Sequence, residues 1–339
     1  MLIVMHKGAT EEQVQKVCKH LENAGLTPHP IPGATRVSIG VTGNKAQIES
    51  DQLSMMPGVF ELIQVTKPYK LTSREMKPED TIVDINGVKV GGGEVIVIGG
   101  PCAVESPEQT MSVARSVKQQ GGHMLRGGAF KPRSSPYAFQ GLGKEGLEIL
   151  KAAREETGLP VVTEAVDTDS FGMVEEYSDV IQIGARNMQN YALLKRAGQS
   201  KRAVILKRGF AATVTEFLLA AEYIMAGGNY NVILCERGIR TFSNHSRFTL
   251  DLSTIPELKR ITHLPVIVDP SHAAGRRDMV MPLARAAVAC GADGLIVEVH
   301  NSPETALCDG PQALTPELFT VLMRDVPRLA AIVRGYEAQ

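Results

Sequence analysis

The chain is short of the features that would give it an obvious address. Its net charge is only −1 over 339 residues, so no global field draws it to nucleic acid or an anionic membrane, and any basic patch must be local. Its five cysteines, Cys18, Cys102, Cys235, Cys290 and Cys308, are odd in number and contain no CxxC pair. That argues against a disulfide framework and for a reducing, cytoplasmic setting. No apolar run reaches the roughly 18 residues of a membrane span. The opening residues, Met1-Leu2-Ile3-Val4-Met5-His6-Lys7-Gly8, lack the charged and long apolar regions of a signal peptide and read as a strand.

Length is what the chain does have. It exceeds the about 250 residues of a lone (β/α)₈ barrel, so a barrel with one small additional domain is expected. Residues 1–66 read as β-α-β-β-α-β, the ferredoxin-like order. Leu2 to Met5 form a short strand, and Thr10-Glu11-Glu12-Gln13 is a capping box. Val14, Val17, Leu21 and Ala24 recur at helical spacing, and Gly25 is placed to end the helix. Val37, Ile39 and Val41 alternate as in a half-buried strand. Residues 45–55 form a second helix and 59–65 a last strand. Residues 67–93 are linker and hairpin: 68–80 is polar with two prolines, and Asn86-Gly87 between Ile82-Val83-Asp84-Ile85 and Val88-Lys89-Val90 signals a type I′ turn, which could close the bottom of a barrel.

From residue 94 to 339 short apolar runs alternate with amphipathic stretches. The runs are 95–99, 124–126, 160–163, 180–183, 203–207, 232–235, 266–269 and 294–298. Runs apolar on both faces are what parallel strands covered by helices require. Helices are expected between them, among others at 107–120, 213–226 and 278–290. Eight β/α units favour a closed (β/α)₈ TIM barrel over an open sheet of six or seven strands.

A barrel gathers its active site from the C-terminal ends of its strands, and two residue sets occupy those places. One is cationic: Arg126, Lys131, Arg133, Arg186, Lys207 and Arg237. Cations crowded at one mouth repel each other and call for anions, such as two phosphates and a carboxylate. The alternative is six solvated charges on unrelated loops. The other set is Cys102, His272, Glu298 and Asp309, from or after the first, seventh and eighth runs, which neighbour each other in a closed barrel. One thiolate, one imidazole and two carboxylates can hold a divalent transition metal, and the mixed donors leave Mn²⁺, Fe²⁺, Co²⁺ and Zn²⁺ open. Taken singly, a buried Cys or His is more often packing than ligation.

The strand-end segments together resemble a known family. Gly99-Gly100-Pro101-Cys102, Leu125-Arg126-Gly127-Gly128, Lys131-Pro132-Arg133-Ser134-Ser135-Pro136, Ile183-Gly184-Ala185-Arg186-Asn187, Leu206-Lys207-Arg208-Gly209, Cys235-Glu236-Arg237-Gly238, Asp269-Pro270-Ser271-His272 and Val297-Glu298-Val299-His300 occur in the order found in 3-deoxy-D-arabino-heptulosonate 7-phosphate synthases. The small N-terminal domain resembles that of the regulated type Iβ branch. The resemblance implies condensation of phosphoenolpyruvate with erythrose 4-phosphate, releasing phosphate, as the first step of the shikimate pathway. It implies a metal on Cys102, His272, Glu298 and Asp309. Arg186, Lys207, Arg237 and the Ala185 N–H would hold the phosphoenolpyruvate phosphate, with Arg126 and Lys131 at its carboxylate and reacting carbons. Arg133, Ser134 and Ser135 would hold the aldose phosphate. Lys131 is the expected proton donor and Glu164, at the end of the third run, the expected handler of the attacking water.

The resemblance further implies a homotetramer in which tyrosine or phenylalanine binds between N-terminal domains near His29. Pro30-Ile31-Pro32 stands where a serine and a more polar loop would be expected, which leaves open a domain that only oligomerises. Two rivals remain. The octulosonate 8-phosphate synthases use arabinose 5-phosphate and carry Ala-Asn-Arg after the lysine, where this chain has Pro132-Arg133-Ser134. A non-catalytic sensor would not need the complete donor and cation sets. Of the other residues, Cys18 is expected to be packing, Cys290 buried at a helix end, and Cys308 a possible disulfide partner for Cys102. His300 shares the strand face of Glu298, either orienting that carboxylate or simply packing.

Overall fold

The computed structural model describes residues 1–33, 35–43, 50–63, 67–133 and 135–337. The chain divides into two compact units, one comprising Met1–Asp80 with Ile261–His263, the other Thr81–Arg260 with the residues from Leu264 onward. Segment 67–80 thus belongs to the first unit and the 83–90 hairpin to the second.

In the first unit β1 (Leu2–Met5), α1 (Glu11–Asn23), β2 (Thr27–Pro32), β3 (Val37–Thr42), α2 (Ser50–Ser54) and β4 (Val59–Ile63) follow in order. The strands form an antiparallel sheet of order β2-β3-β1-β4, the ferredoxin-like arrangement. Both arms of the capping box form: Gln13 N donates to Thr10 Oγ1 at 3.3 Å and Thr10 N to Gln13 Oε1 at 2.9 Å. Val17 and Leu21 of α1 then meet Ile3, Met5, Ile39 and Leu53 in one core, with Cys18 packed among them. The second helix is described from Ser50; residues 44–49 of the expected span lie outside the described residues. β2 carries no propensity signal, because Pro28, Pro30 and Pro32 occupy alternate positions. It is an edge strand, the place where a sheet tolerates proline, and it buries His29 and Ile31 on one face.

The second unit opens with the hairpin β5 (Val83–Ile85) and β6 (Val88–Val90). Asn86 and Gly87 both have positive φ, 52° and 92°, as a type I′ turn requires. Then come β7 (Ile96–Gly100), α3 (Pro107–Gln119), β8 (Met124–Arg126), α4 (Lys144–Thr157), β9 (Val161–Ala165), α5 (Thr168–Tyr177), β10 (Val180–Ile183), α6 (Tyr191–Gly198), β11 (Ala203–Lys207), α7 (Val214–Ala226), β12 (Val232–Glu236), α8 (Thr254–Ile261), β13 (Val266–Val268), α9 (Pro270–Ala274), α10 (Arg277–Ala289), β14 (Gly294–Glu298) and α11 (Pro316–Glu337). All eight apolar runs are strands, and they close into a parallel barrel, β7 pairing with both β8 and β14. Val83, Ile85 and Val90 of the hairpin pack with Ile96, Met124, Val180 and Ala203 near the strand starts, so the hairpin plugs the N-terminal end of the barrel. Cys290, expected to be buried, instead caps α10 and is partly exposed, because the residue after a helix's last turn leaves the buried stripe.

Candidate active site

The four expected donors converge at the C-terminal mouth. Cys102 lies just past β7, His272 on the single turn α9, Glu298 at the end of β14, and Asp309 in the following loop, with one ligand atom from each lying within 4.8 Å of the others. His272 Nε2 is 3.1 Å from Glu298 Oε1 and 3.7 Å from Asp309 Oδ2, and Cys102 Sγ is 3.5 Å from the same Asp309 oxygen. Asp309 has a left-handed backbone, φ 52°, strain that persists only where the surroundings impose it.

Asp269 sets the imidazole. Its Oδ1 accepts from His272 N at 2.9 Å, capping α9, and its Oδ2 lies 2.7 Å from His272 Nδ1. The proton therefore sits on Nδ1, and the Nε2 lone pair faces the cluster, the arrangement of a metal-ligating histidine. Lys207 also reaches Asp269 Oδ2. Burial opposes ionisation of Asp269, but His272 and Lys207 overcome it and hold its pKa well below the usual carboxylate range. Burial lowers the His272 pKa against the pull of Asp269 and Glu298, favouring the neutral ring.

Glu298 Oε1 is buried without a hydrogen-bond partner among the described residues, and it faces a nitrogen lone pair. Two acceptors in that position repel each other unless a cation or proton lies between them. Burial first, and then Cys102, push the Glu298 pKa up to about 8 against His272 and Arg126. Cys102 is raised well above the ordinary thiol value, first by its hydrogen bond with Cys308, 3.2 Å between sulfurs, and then by burial. Asp309 is lowered: burial opposes, and His272, Arg247 and Lys131 prevail. A buried thiol, imidazole and two carboxylates with inward lone pairs fit a divalent transition metal.

Beside the donors lies a cavity of about 280 Å³ lined by Lys131, Arg133, Ser135, Glu164, Ala185, Arg186, Lys207, Phe210, Arg237, Arg247, His272 and Asp309. Five of the six expected cations reach it. The sixth, Arg126, is buried just beneath, its Nη2 3.5 Å from Glu298 Oε1 and 3.3 Å from Cys102 O. Lys131 Nζ sits 3.1 Å from Cys102 Sγ and 2.9 Å from Cys102 O. Burial disfavours its charge, but the Cys102 and Cys308 sulfurs beside it outweigh burial and raise its pKa. Arg133 reaches the Cys308 thiol. Arg237 is buried over the faces of Phe248 and Phe210, at 4.3 and 4.8 Å, and burial lowers its pKa. The Nη1 atoms of Arg126 and Arg237 are buried without a partner among the described residues. Unpaired buried donors are costly, and an anion entering the cavity would satisfy them.

Glu164 accepts from Gln182 Nε2 at 2.8 Å. A β-carbon on residue 184 would lie 2.1 Å from Glu164 Oε1, so glycine at 184 makes room for that carboxylate. Ser134 lies outside the described residues. His29 belongs to the first unit, where it is buried with Nε2 2.8 Å from Thr42 Oγ1. His300 joins no donor set. Its Nδ1 accepts from Ser302 N, leaving Nε2 to face Glu105 Oε2 at 3.4 Å, while Glu105 Oε1 accepts from Leu307 N; the pair anchors the loop that carries Asp309. Sequence reasoning gave no role to Asp269, Phe210, Arg247 or Gln312. Asp269 stands at a strand end and could have been found by that rule. Arg247, ten residues past Arg237 in an irregular loop, had no such signal.

Residues 74–329 match the DAHP synthetase I family, and residues 1–67 match the DAHP synthase ferredoxin-like domain. The chain is 50% identical over 330 residues to the phospho-2-dehydro-3-deoxyheptonate aldolase of Thermotoga maritima, covering 97% of this chain and 98% of that one. It is 32% identical over 263 residues to the 2-dehydro-3-deoxyphosphooctonate aldolase of Syntrophotalea carbinolica, covering 72% of this chain and 94% of that one. The crystal structure of the Thermotoga maritima DAHP synthase superimposes with a TM-score of 0.78 at 49% identity, covering 98% of this chain and 97% of that one. A truncated form of 3-deoxy-D-arabino-heptulosonate 7-phosphate synthase from the same organism gives 0.74 at 50% identity, covering 78% and 97%.

Proposed function

The chain belongs to the DAHP synthetase I family, and we propose that the mouth of its barrel joins phosphoenolpyruvate to erythrose 4-phosphate around a metal held by Cys102, His272, Glu298 and Asp309. The observation that carries this reading is the convergence of those four donors within 4.8 Å, next to a cavity ringed by cations. A divalent ion held there, Mn²⁺, Fe²⁺, Co²⁺ or Zn²⁺, would supply a Lewis acid for the aldehyde.

The chain's own residues do the rest. Arg186, Lys207 and Arg237, with the Ala185 N–H, bind the phosphoenolpyruvate phosphate, and Arg126 and Lys131 its carboxylate. Arg133, Ser134 and Ser135 take the aldose phosphate. Held this way, the methylene carbon of phosphoenolpyruvate meets the aldehyde carbon in a positioned encounter. As the C–C bond forms, Lys131 gives a proton to the former aldehyde oxygen. Positive charge builds on the carbon bearing the phosphate, and water, deprotonated by Glu164, adds there. The C–O bond to phosphate then breaks, leaving a ketone and inorganic phosphate.

The octulosonate reading is disfavoured by Pro132 after Lys131 and by its more distant, partial match. The first 66 residues as a regulatory and oligomerisation domain, residues 67–93 as linker and hairpin, a homotetramer, an aromatic amino acid effector near His29, and a cytoplasmic setting belong to the same proposal. They rest on the match of the first unit to the ferredoxin-like domain and on five free cysteines. No helix among the described residues is long and apolar enough to cross a membrane. The test is phosphate release from phosphoenolpyruvate with erythrose 4-phosphate or arabinose 5-phosphate, before and after chelation. Release with the four-carbon aldose alone, abolished by chelator and restored by Mn²⁺, is expected. Release that survives exhaustive chelation would overturn the metal reading, and preference for the five-carbon aldose the substrate reading.

A further inference from the structure

Both carboxylates of the donor cluster share one neighbour that the reaction scheme leaves unused. Gln312 is buried at the end of the single 3₁₀ turn Gly310–Gln312 that follows Asp309. Its Nε2 donates to Glu298 Oε2 at 2.8 Å and lies 3.5 Å from Asp309 Oδ2. Its Oε1 accepts from Arg247 Nη1 at 3.3 Å, and the same Nη1 lies 3.3 Å from Asp309 Oδ2. Only an amide meets these demands, with two N–H donors for two carboxylates and an oxygen for a guanidinium. A glutamate here would crowd a third negative charge into the cluster, and a methionine would donate nothing.

The backbone that carries the amide, and the loop that carries Arg247, are both tied down. Leu314 N donates to Glu298 O and His300 N to Leu314 O, which lays the segment after Gln312 along the end of β14. Arg277 Nε donates to Ala313 O at 2.6 Å. On the far side, Arg247 N and Phe248 N donate to Ala274 O and Ala273 O, tying Arg247 to the turn that carries His272. The result of this bracing is that Glu298 Oε2 is occupied by Gln312, while Oε1 is turned toward His272 and left without a hydrogen-bond partner among the described residues.

We propose that Gln312, backed by Arg247, is the positioning residue of the metal centre: it selects which carboxylate oxygens face the ion and holds them there. This rests on the metal reading above. It concerns oxygen placement alone, and no step of the reaction passes through Gln312.

The test uses the full-length chain stripped by chelator, with Mn²⁺ alone as the probe, measured by equilibrium dialysis. Wild type is expected to bind one Mn²⁺, and Gln312→Met to bind it roughly 10–100-fold more weakly, the loss usual for residues that orient ligands. The thermal midpoint of the metal-free protein should barely move, kcat should recover at saturating Mn²⁺, and the KM for phosphoenolpyruvate should hold. Arg247→Met should shift Mn²⁺ binding in the same direction by a smaller factor, and it carries the test should Gln312→Met fail to fold. Wild-type affinity in both variants, or in Arg247→Met when it stands alone, overturns the proposal and leaves the metal reading intact. A lower midpoint with unchanged affinity makes Gln312 structural only and overturns it too. No Mn²⁺ uptake by wild type overturns the metal reading and this proposal together.

Discussion

Acidification from pH 8 to pH 6 should weaken metal binding by about four orders of magnitude. In the metal-free protein Glu298 is pushed up to about 8, so below pH 8 it holds a proton. Cys102, raised well above the ordinary thiol value, holds another throughout this range. Both must leave before the oxygen and sulfur can ligate. His272 is lowered and Asp309 is lowered, so neither contributes a proton between pH 6.5 and 8. The sign follows: the metal-free state carries more protons than the loaded one, so affinity rises with pH. Two protons at about 1.36 kcal/mol per pH unit each give about 2.7 kcal/mol per unit below pH 8, and half that above it. Competition of the stripped protein against a chromophoric chelator from pH 6 to 9 measures the slope. Titration calorimetry in two buffers of different ionisation heat counts the protons directly. A slope below one between pH 6 and 8, or release of less than one proton at pH 7, would refute the reasoning.

Three further outcomes can be checked on single variants. Lys131→Met should cut turnover by about 100-fold or more, the usual scale of a lost general acid, with a smaller change in the KM for phosphoenolpyruvate; a loss confined to KM removes its role as proton donor. Hydrogen peroxide should join Cys102 to Cys308, whose sulfurs are 3.2 Å apart, the two thiols giving up two electrons and two protons as peroxide becomes water. Activity should vanish, return with dithiothreitol, and persist through the treatment in Cys308→Ser; equal reversible inactivation of that variant would exclude the pair. Gly184→Ala places a β-carbon 2.1 Å from Glu164 Oε1, so Glu164 must swing away and release Gln182. An order of magnitude in kcat should go while Mn²⁺ binding stays, and an unchanged kcat would clear Glu164 of a part in the reaction.

The barrel was legible because its strands are apolar on both faces, a pattern a surface helix does not produce. The eight runs therefore found eight strands, and the rule that chemistry gathers at strand ends found the ring of cations and the four donors. What escaped has a common physical cause. Gln312 and Arg247 act through hydrogen bonds made across loops, and loops have no periodicity to read. Neither residue type is unusual for a surface. The ferredoxin-like order called for β2, but no residue pattern located it: its prolines oppose a strand by propensity, and its pairing with β3 overrides them. The fate of Cys290 turned on one residue of helix length, which apolar spacing does not resolve.

The alternation of Pro28, Pro30 and Pro32 along β2 has a consequence for how chains can meet. Successive residues of a strand turn their backbone groups to opposite sides, and because proline has no N–H to give β3, the amides of β2 that pair with it belong to the alternate residues Thr27, His29 and Ile31. The outer rim of the sheet thus offers three carbonyls in a row and not one amide hydrogen. A foreign strand laid there would find nothing to accept its own carbonyls, which is how natural sheets keep a border from becoming a template. Strand addition across the proline border is therefore closed, and edge-to-edge pairing through this sheet is left to its opposite edge, β4.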